Sequence, residues 1–327
     1  APFITEEQRA RIHDAARAIC SEAGYSGAGT VEFLLSQDGV ISFLEVNTRL
    51  QVEHPVTEET TGVDIVIEQL RIADGLPLSV TETPAPRGHA FEFRINAEDP
   101  GRGFLPTPGH ITLFRAPSGP GVRLDAGVET ASDIPGLYDS MMAKLIVTGA
   151  TREEALVRAR RALREFRIEG VASVLPFHRA VVDEPAFTGE DGFKVYTNWI
   201  ETEFRGLEPA PRVDPVEGGL IRAFIEIDGK RHELGLPAAL FANAAAPQAA
   251  GVTQATETDN TVTAPIPGTL QKWLVEDGAT VAEGDAVALI EAMKMETRIV
   301  APKAGTIRIK AEAGAAIALG ATLAVID

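Results

Sequence analysis

The chain has 327 residues, 45% of them hydrophobic and 24% charged, and carries a net charge of −17. That length and balance support about two or three folded cores, and the acidity argues against nucleic-acid or anionic-membrane partners. A lone Cys20 excludes a disulfide framework. The first residues lack a basic and apolar leader and no run approaches about 18 apolar residues, so a cytoplasmic, non-membrane protein is expected.

Thr5, followed by Glu7 and Gln8, is a capping start for an amphipathic helix from Glu6 to Glu22, with Cys20 on its packed side. Gly24-Tyr25-Ser26-Gly27-Ala28-Gly29-Thr30 is rich in glycine, but it leads from a helix into a strand. It offers no helix N-terminus to a phosphate and reads as a turn. Asp38-Gly39 then sits between apolar runs as a hairpin signal, and a two-residue turn there pairs Glu32 with Glu45. Like charges with side-chain carbons about 5 Å apart are destabilising unless a proton or a cation lies between them. Oxygen ligands with the Asn47 amide nearby suit Mg²⁺ or Mn²⁺, so the expectation is a metal site for nucleotide phosphate.

From Glu45 onward every second residue is polar: Glu45, Asn47, Arg49, Gln51 and Glu53 alternate with mostly apolar neighbours. An extended chain shows all five on one side. A strand with one face in water would explain the alternation alone. The order acid, amide, guanidinium, amide, acid is what points to a site able to coordinate a metal, hold an anion and move a proton.

Farther along, Arg152 to Arg167 is locally basic, but Ala155, Leu156, Ala159, Leu163 and Phe166 follow a helical period, so the charges form a solvated helix face. Mixed α/β character ends near Trp199. Glu208-Pro209-Ala210-Pro211 is a linker, and Leu220 to Leu234 reads as a hairpin turning at Asp228-Gly229. The Ala- and Thr-rich stretch after it, poor in large apolar groups, is a tether.

The last segment repeats itself. Ala264-Pro265-Ile266-Pro267-Gly268-Thr269-Leu270 overlays Ala301-Pro302-Lys303-Ala304-Gly305-Thr306-Ile307 at an offset of 37, and after one deletion Gly278, Val281, Gly284, Leu289 and Ile290 fall on Gly314, Ile317, Gly320, Val325 and Ile326. Two short β units, neither able to bury its own apolar face, imply a sandwich with one shared core. At their junction stands Glu291-Ala292-Met293-Lys294-Met295-Glu296. A two-residue turn at Met293-Lys294 pairs Ala292 with Met295 and Glu291 with Glu296, and puts Lys294 at a solvent-exposed tip.

A lysine between two methionines at such a junction resembles the biotinyl domain of biotin-dependent carboxylases. Lipoyl domains share the fold but usually lack the second methionine. Independently, Glu45-Val46-Asn47-Thr48-Arg49-Leu50-Gln51-Val52-Glu53-His54-Pro55 resembles the signature of biotin carboxylases, members of the ATP-grasp superfamily. Gly62-Val63-Asp64, Glu68 to Ala73, Arg87-Gly88-His89-Ala90, Arg94 to Pro100 and Tyr138-Asp139-Ser140-Met141 fit that family in order. Together the two signals resemble α subunits of actinobacterial-type acetyl- or propionyl-CoA carboxylases.

The resemblance implies an α/β C-terminal half of an ATP-grasp domain (residues 1–80) and a mixed α/β biotin carboxylase C-terminal domain (81–205). A linker with a small docking hairpin (206–237), a tether (238–261) and an all-β, lipoyl-like flattened biotinyl sandwich (262–327) follow. It assigns Glu32, Glu45 and Asn47 to divalent cations bridging ATP phosphates and Leu34 to an adenine contact. Arg49, Gln51 and the Val52 backbone match the bicarbonate site, where a guanidinium can grip a planar anion through two bonds. Glu53 matches the general base that deprotonates bicarbonate, and Arg94 the arginine that stabilises the biotin enolate.

The implied activity is that of a ligase. It carboxylates biotin held on Lys294 with ATP and bicarbonate, for a separate carboxyltransferase β subunit that makes malonyl- or methylmalonyl-CoA. A biotin protein ligase and self-association of the carboxylase are the other expected partners. The family's first domain, glycine-rich lid and ATP-gripping lysines would precede Ala1, so the chain is expected to be the C-terminal part of a longer polypeptide and inactive alone. Alternatives are a non-catalytic carrier or scaffold, or a carboxylase for methylcrotonyl-CoA or long-chain acyl-CoA.

Overall fold

A computed structural model describes residues 4–36, 38–189, 192–210, 220–227, 230–237, 260–293 and 295–327, with 220–227 and 230–237 described by backbone alone. The chain divides into two compact units, one of residues 1–94, 116–125 and 144–165 and the other of residues 95–115, 126–143 and 166–327. Among the described residues no helix is long and apolar enough to cross a membrane.

The first unit opens with helix α1 (Glu6–Glu22), set by the expected capping box. The Gln8 amide donates to the Thr5 hydroxyl at 3.2 Å and the Thr5 amide to the Gln8 side chain at 3.0 Å. Cys20 is half-buried and forms no disulfide. The segment between α1 and strand β1 (Thr30–Leu35) is a turn, closed by the Tyr25 hydroxyl donating to the Ala28 carbonyl at 2.6 Å.

Strand β1 pairs antiparallel with β2 (Ile41–Asn47), and Glu32 does face Glu45. The route differs from the one expected. The Ser36 amide bonds the Val40 carbonyl and Leu35 pairs with Ile41, so the loop is longer than two residues; a bulge between Glu32 and Phe33 then restores the register. A three-residue loop closed by a left-handed glycine, here Gly39 with φ +86°, is a common hairpin form. The second correction concerns length: β2 stops at Asn47. Helix α2 (His54–Thr61) starts only at His54, where Pro55 presets helical φ, so Arg49, Gln51 and Glu53 sit on an irregular turn and not on a strand face.

Helix α3 (Ile65–Ala73) starts at Asp64, whose carboxylate accepts from the Ile67 amide at 2.8 Å. Strand β3 (His89–Asn96) belongs to a three-stranded sheet whose order continues through Met141–Gly149 to Val122–Ala126. Leu145, Ile146 and Val147 are fully buried, as are Ala155, Ala159, Ala162 and Leu163 of helix Arg152–Glu165. Arg158 and Arg161 of that helix pair with Glu154 and Glu165 one turn away, as the helical period implies.

In the second unit, Phe166 is fully buried edge-on against Phe114, and Trp199 leads an aromatic series through Phe204 and Phe177 to Phe104. Strands Leu220–Ile227 and Lys230–Pro237 pair with Ile227 opposite Lys230, the register of a two-residue turn. The turn residues Asp228 and Gly229, most of the tether and Lys294 lie outside the described residues.

The last segment forms two four-stranded sheets around a core that includes Leu270, Val287, Ile290, Ile307, Leu323 and Ile326. One sheet runs Thr261–Thr263, Thr322–Ile326, Gly305–Ile309, Thr280–Val281; the other runs Met295–Val300, Ala286–Ala292, Gly268–Trp273, Ala316–Ile317. Shifting each strand by the repeat offset turns one order into the other. The bonds are exchanged in the same way. The Gly278 amide donates to the Ile307 carbonyl and Gly314 to Leu270; Gly284 donates to Ala301 and Gly320 to Ala264. Each half closes the other's turns, which is why neither is complete by itself. Even the tight spots are paired: a Cβ on Gly268 would lie 2.4 Å from the Glu291 carbonyl oxygen, and one on Gly305 2.3 Å from that of Asp327.

Candidate functional site

Side-chain amides tie the β1–β2 hairpin to the turn that follows it. The Asn47 amide nitrogen donates to a Glu32 oxygen and to a Glu45 oxygen, each at 2.9 Å, and the Gln51 amide donates to the same Glu32 oxygen at 3.1 Å. One nitrogen bridging two facing carboxylates brings their oxygens within reach of a single ion. This is the geometry the register requires, since facing acids need positive character between them.

The donor set, two carboxylates and a carboxamide, fits a hard divalent cation. Here the amide nitrogen occupies the bridging place, and the Asn47 oxygen accepts from Arg49 at 3.4 Å. A half-turn of the amide exchanges nitrogen for oxygen. Among the described residues no group of three or more His, Cys, Asp and Glu side chains gathers as a metal cage, so any cation here would complete its shell with other oxygen ligands, such as water or a phosphate. Leu34, expected against adenine, projects from β1 with 58% of its surface exposed.

The chain then turns sharply. The His54 ring nitrogen Nδ1 lies 2.7 Å from the Gln51 carbonyl, and the Val56 amide donates to the Glu53 carbonyl at 3.1 Å. Glu53 occupies the cap position of α2, yet its side chain makes no cap bond. Its carboxylate instead accepts from the Arg94 guanidinium at 2.8 Å. Both partners are about half exposed, 53% and 54%, so the pair adds little stability and matters for position. The polar residues singled out upstream thus gather in two groups: Glu32, Glu45, Asn47, Arg49 and Gln51 in one, Glu53 with Arg94 in the other.

Sequence reasoning missed what holds the turn. Lys144, nearly buried on strand Met141–Gly149, donates to the Val52 carbonyl at 3.2 Å and lies 3.8 Å from Asp125. Arg123 forks onto both oxygens of Asp125 at 2.9 Å and reaches Glu58 on α2 at 2.9 Å. The Arg123 fork, followed by the nearby Lys144 and His54 charges, holds the Asp125 carboxyl below the usual carboxylate range. The available signal was a lysine inside the otherwise apolar run Met141-Met142-Ala143-Lys144-Leu145-Ile146-Val147. On β3, two residues before Arg94, both oxygens of Glu92 are shielded from water and lack a hydrogen-bond partner among the described residues.

In the last segment the register is the expected one, with Glu291 opposite Glu296 and Ala292 opposite Met295. Met293 takes a left-handed conformation, φ +51°, at a cost of about 1 kcal/mol. Its side chain is buried and its amide donates to the Gly136 carbonyl at 3.2 Å.

Family models match three successive stretches: the carbamoyl-phosphate synthase L chain ATP binding domain over residues 1–81, the biotin carboxylase C-terminal domain over 92–202, and the biotin-requiring enzyme domain over 260–326. The biotin-dependent acyl-coenzyme A carboxylase alpha3 subunit of Mycobacterium leprae is 54% identical over 99% of the chain, which spans 58% of that relative. The biotin carboxylase of a Nostoc species is 48% identical over 57% of the chain and 42% of its own length. Among solved structures, the biotin carboxylase domain dimer of Hydrogenobacter thermophilus 2-oxoglutarate carboxylase, in complex with MgADP, ADP and bicarbonate, has a TM-score of 0.57 at 39% identity. That match covers 61% of this chain and 43% of the other. ATP-binding, biotin carboxylase C-terminal and biotinyl segments follow one another on a single polypeptide here, and along almost its whole length the chain is similar to the α subunit of a biotin-dependent carboxylase.

Proposed function

We propose that the full-length subunit, acting in the cytoplasm, carboxylates biotin attached at Lys294 and hands the carboxyl group to a separate carboxyltransferase subunit. Acyl-CoA is the favoured final acceptor, giving malonyl- or methylmalonyl-CoA, because the relative that matches along almost the whole chain is an acyl-coenzyme A carboxylase subunit. Self-association of the carboxylase part is expected from the relative solved as a dimer. Biotin, once attached by a biotin protein ligase, supplies a ureido nitrogen that accepts CO₂ and carries it away.

The chain's own groups divide the work. Glu32, Glu45 and Asn47 would hold Mg²⁺ or Mn²⁺, whose charge offsets that of ATP phosphates. Arg49, Gln51 and the Val52 backbone receive bicarbonate, and Glu53 takes its proton so that a bicarbonate oxygen can attack the γ-phosphate, giving carboxyphosphate and ADP. Arg94 would supply fixed positive charge beside the ureido group of bound biotin, with the phosphate released as carboxyphosphate gives up CO₂ available to take the ureido proton.

The observation that carries this reading is the shared Asn47 amide between Glu32 and Glu45, with Gln51 on the same Glu32 oxygen and Glu53 held by Arg94. The test is bicarbonate-dependent ATP cleavage by the full-length subunit. Glu53→Gln is expected to lower kcat by about 10²-fold or more, with ATP affinity kept; unchanged kcat would remove Glu53 from the chemistry.

A further inference from the structure

Glu92 has no place in the roles assigned above, yet it is the most anomalous charged side chain of the first unit. It lies two residues before Arg94 on β3, so the two side chains leave the strand on the same side. Both its oxygens are shut off from water without a hydrogen-bond partner among the described residues. Such a group is expensive to keep unless its charge state is used.

The charged groups that act on it come from each neighbouring element: Lys144 from the adjacent strand, Asp125 from the strand beyond, Arg94 from its own strand and Glu53 from the turn before α2. Arg94 is at the same time the hydrogen-bond partner of Glu53, at 2.8 Å. Two acids thus share the influence of one guanidinium.

We propose that Glu92 is a positioning residue for Glu53: when its carboxyl is negative it competes for Arg94 and disfavours a second negative charge nearby, so that Glu53 becomes a better proton acceptor. When Glu92 is neutral, Arg94 stays committed to Glu53. Proton uptake by Glu53 from bicarbonate is in turn easier when Glu92 has already released its own proton to solvent. Burial, opposed by Lys144 and Arg94 and reinforced by Glu53 and Asp125, pushes the Glu92 carboxyl up to about 7. Turnover should therefore rise with pH through that region. The inference rests on the proposed reading of Glu53 as the base.

The experiment is the pH dependence of kcat for bicarbonate-dependent ATP cleavage by the full-length subunit, in wild type, Glu92→Gln and Lys144→Met, with thermal melting to confirm that each variant folds. Wild type should show a step centred near 7. Glu92→Gln should lose the step and fall roughly tenfold in kcat on its alkaline side, as expected for a weaker base. Lys144→Met removes a cation that favours the ionised form, so its step should move to higher pH; this variant carries the test if Glu92→Gln does not fold. A step at the wild-type position in a folded variant would overturn the proposal. Absence of bicarbonate-dependent cleavage in wild type would instead contradict the function on which it rests.

Discussion

The repeated sandwich at the end of the chain and the β1–β2 hairpin near its start are both built from short antiparallel strands, yet they solve opposite problems. In the sandwich the apolar side of each strand closes over a shared core, with Leu270, Ile290, Ile307 and Leu323 fully buried. In the hairpin Leu34, Phe43 and Leu44 are 50% exposed or more, since two strands alone cannot bury the apolar side chains of either face. What the hairpin does organise is its polar side, where facing acids are bridged by an amide. A core of its own suits the carrier role proposed for the sandwich, whereas the phosphate and bicarbonate site proposed at the hairpin needs charge held in place on an accessible surface.

The largest effect that sharpens this contrast is in the core. Leu270→Ala should destabilise the sandwich by about 2–5 kcal/mol, whereas Leu34→Ala, already in water, should change stability by less than about 1 kcal/mol. Chemical denaturation of the two variants checks it, and equal losses would erase the distinction. A smaller effect tests whether the repeat is mechanical and not merely a resemblance of sequence. Gly268→Ala and Gly305→Ala each drive a Cβ against the carbonyl oxygen at the end of the same copy, Glu291 or Asp327, so each should cost about 1–3 kcal/mol, Gly305→Ala the more because its φ of +158° adds backbone strain. Loss at one glycine with none at the other would show that the two halves are not mechanically equivalent.

How much of this was legible beforehand depended on whether the signal was local. The capping box at Thr5, the repeat, and the register that flanks residue 294 are set by spacing alone and stand as expected. The Glu32–Glu45 pairing was also foreseen, but two departures cancelled to produce it: a longer loop at Gly39 and a bulge after Glu32. Alternation of polar residues misleads beyond Asn47, because Gln51 and Glu53 lie on a turn and are placed by side-chain bonds to different partners, Glu32 and Arg94, and not by pleat. Lys144 stands out only as a lysine in an apolar run, and the partners of Lys144, Arg123 and Asp125 are hidden for another reason. These three residues hold the turn and α2 from distant strands, Lys144 reaching Val52 across a sequence separation of 92 and Arg123 reaching Glu58 across 65, and no local pattern reports such a contact.

The central claim is that the bridged acids of the hairpin bind the cation on which carboxylation at Lys294 depends. Glu45→Gln in the full-length, biotinylated subunit tests it most directly, by titrating bicarbonate-dependent ATP cleavage with Mg²⁺ or Mn²⁺ and measuring biotin content by intact mass. The account predicts that cleavage falls by about 10²-fold or more or demands far more metal, while the mass still shows one biotin. Wild-type cleavage with an unchanged metal requirement would contradict it.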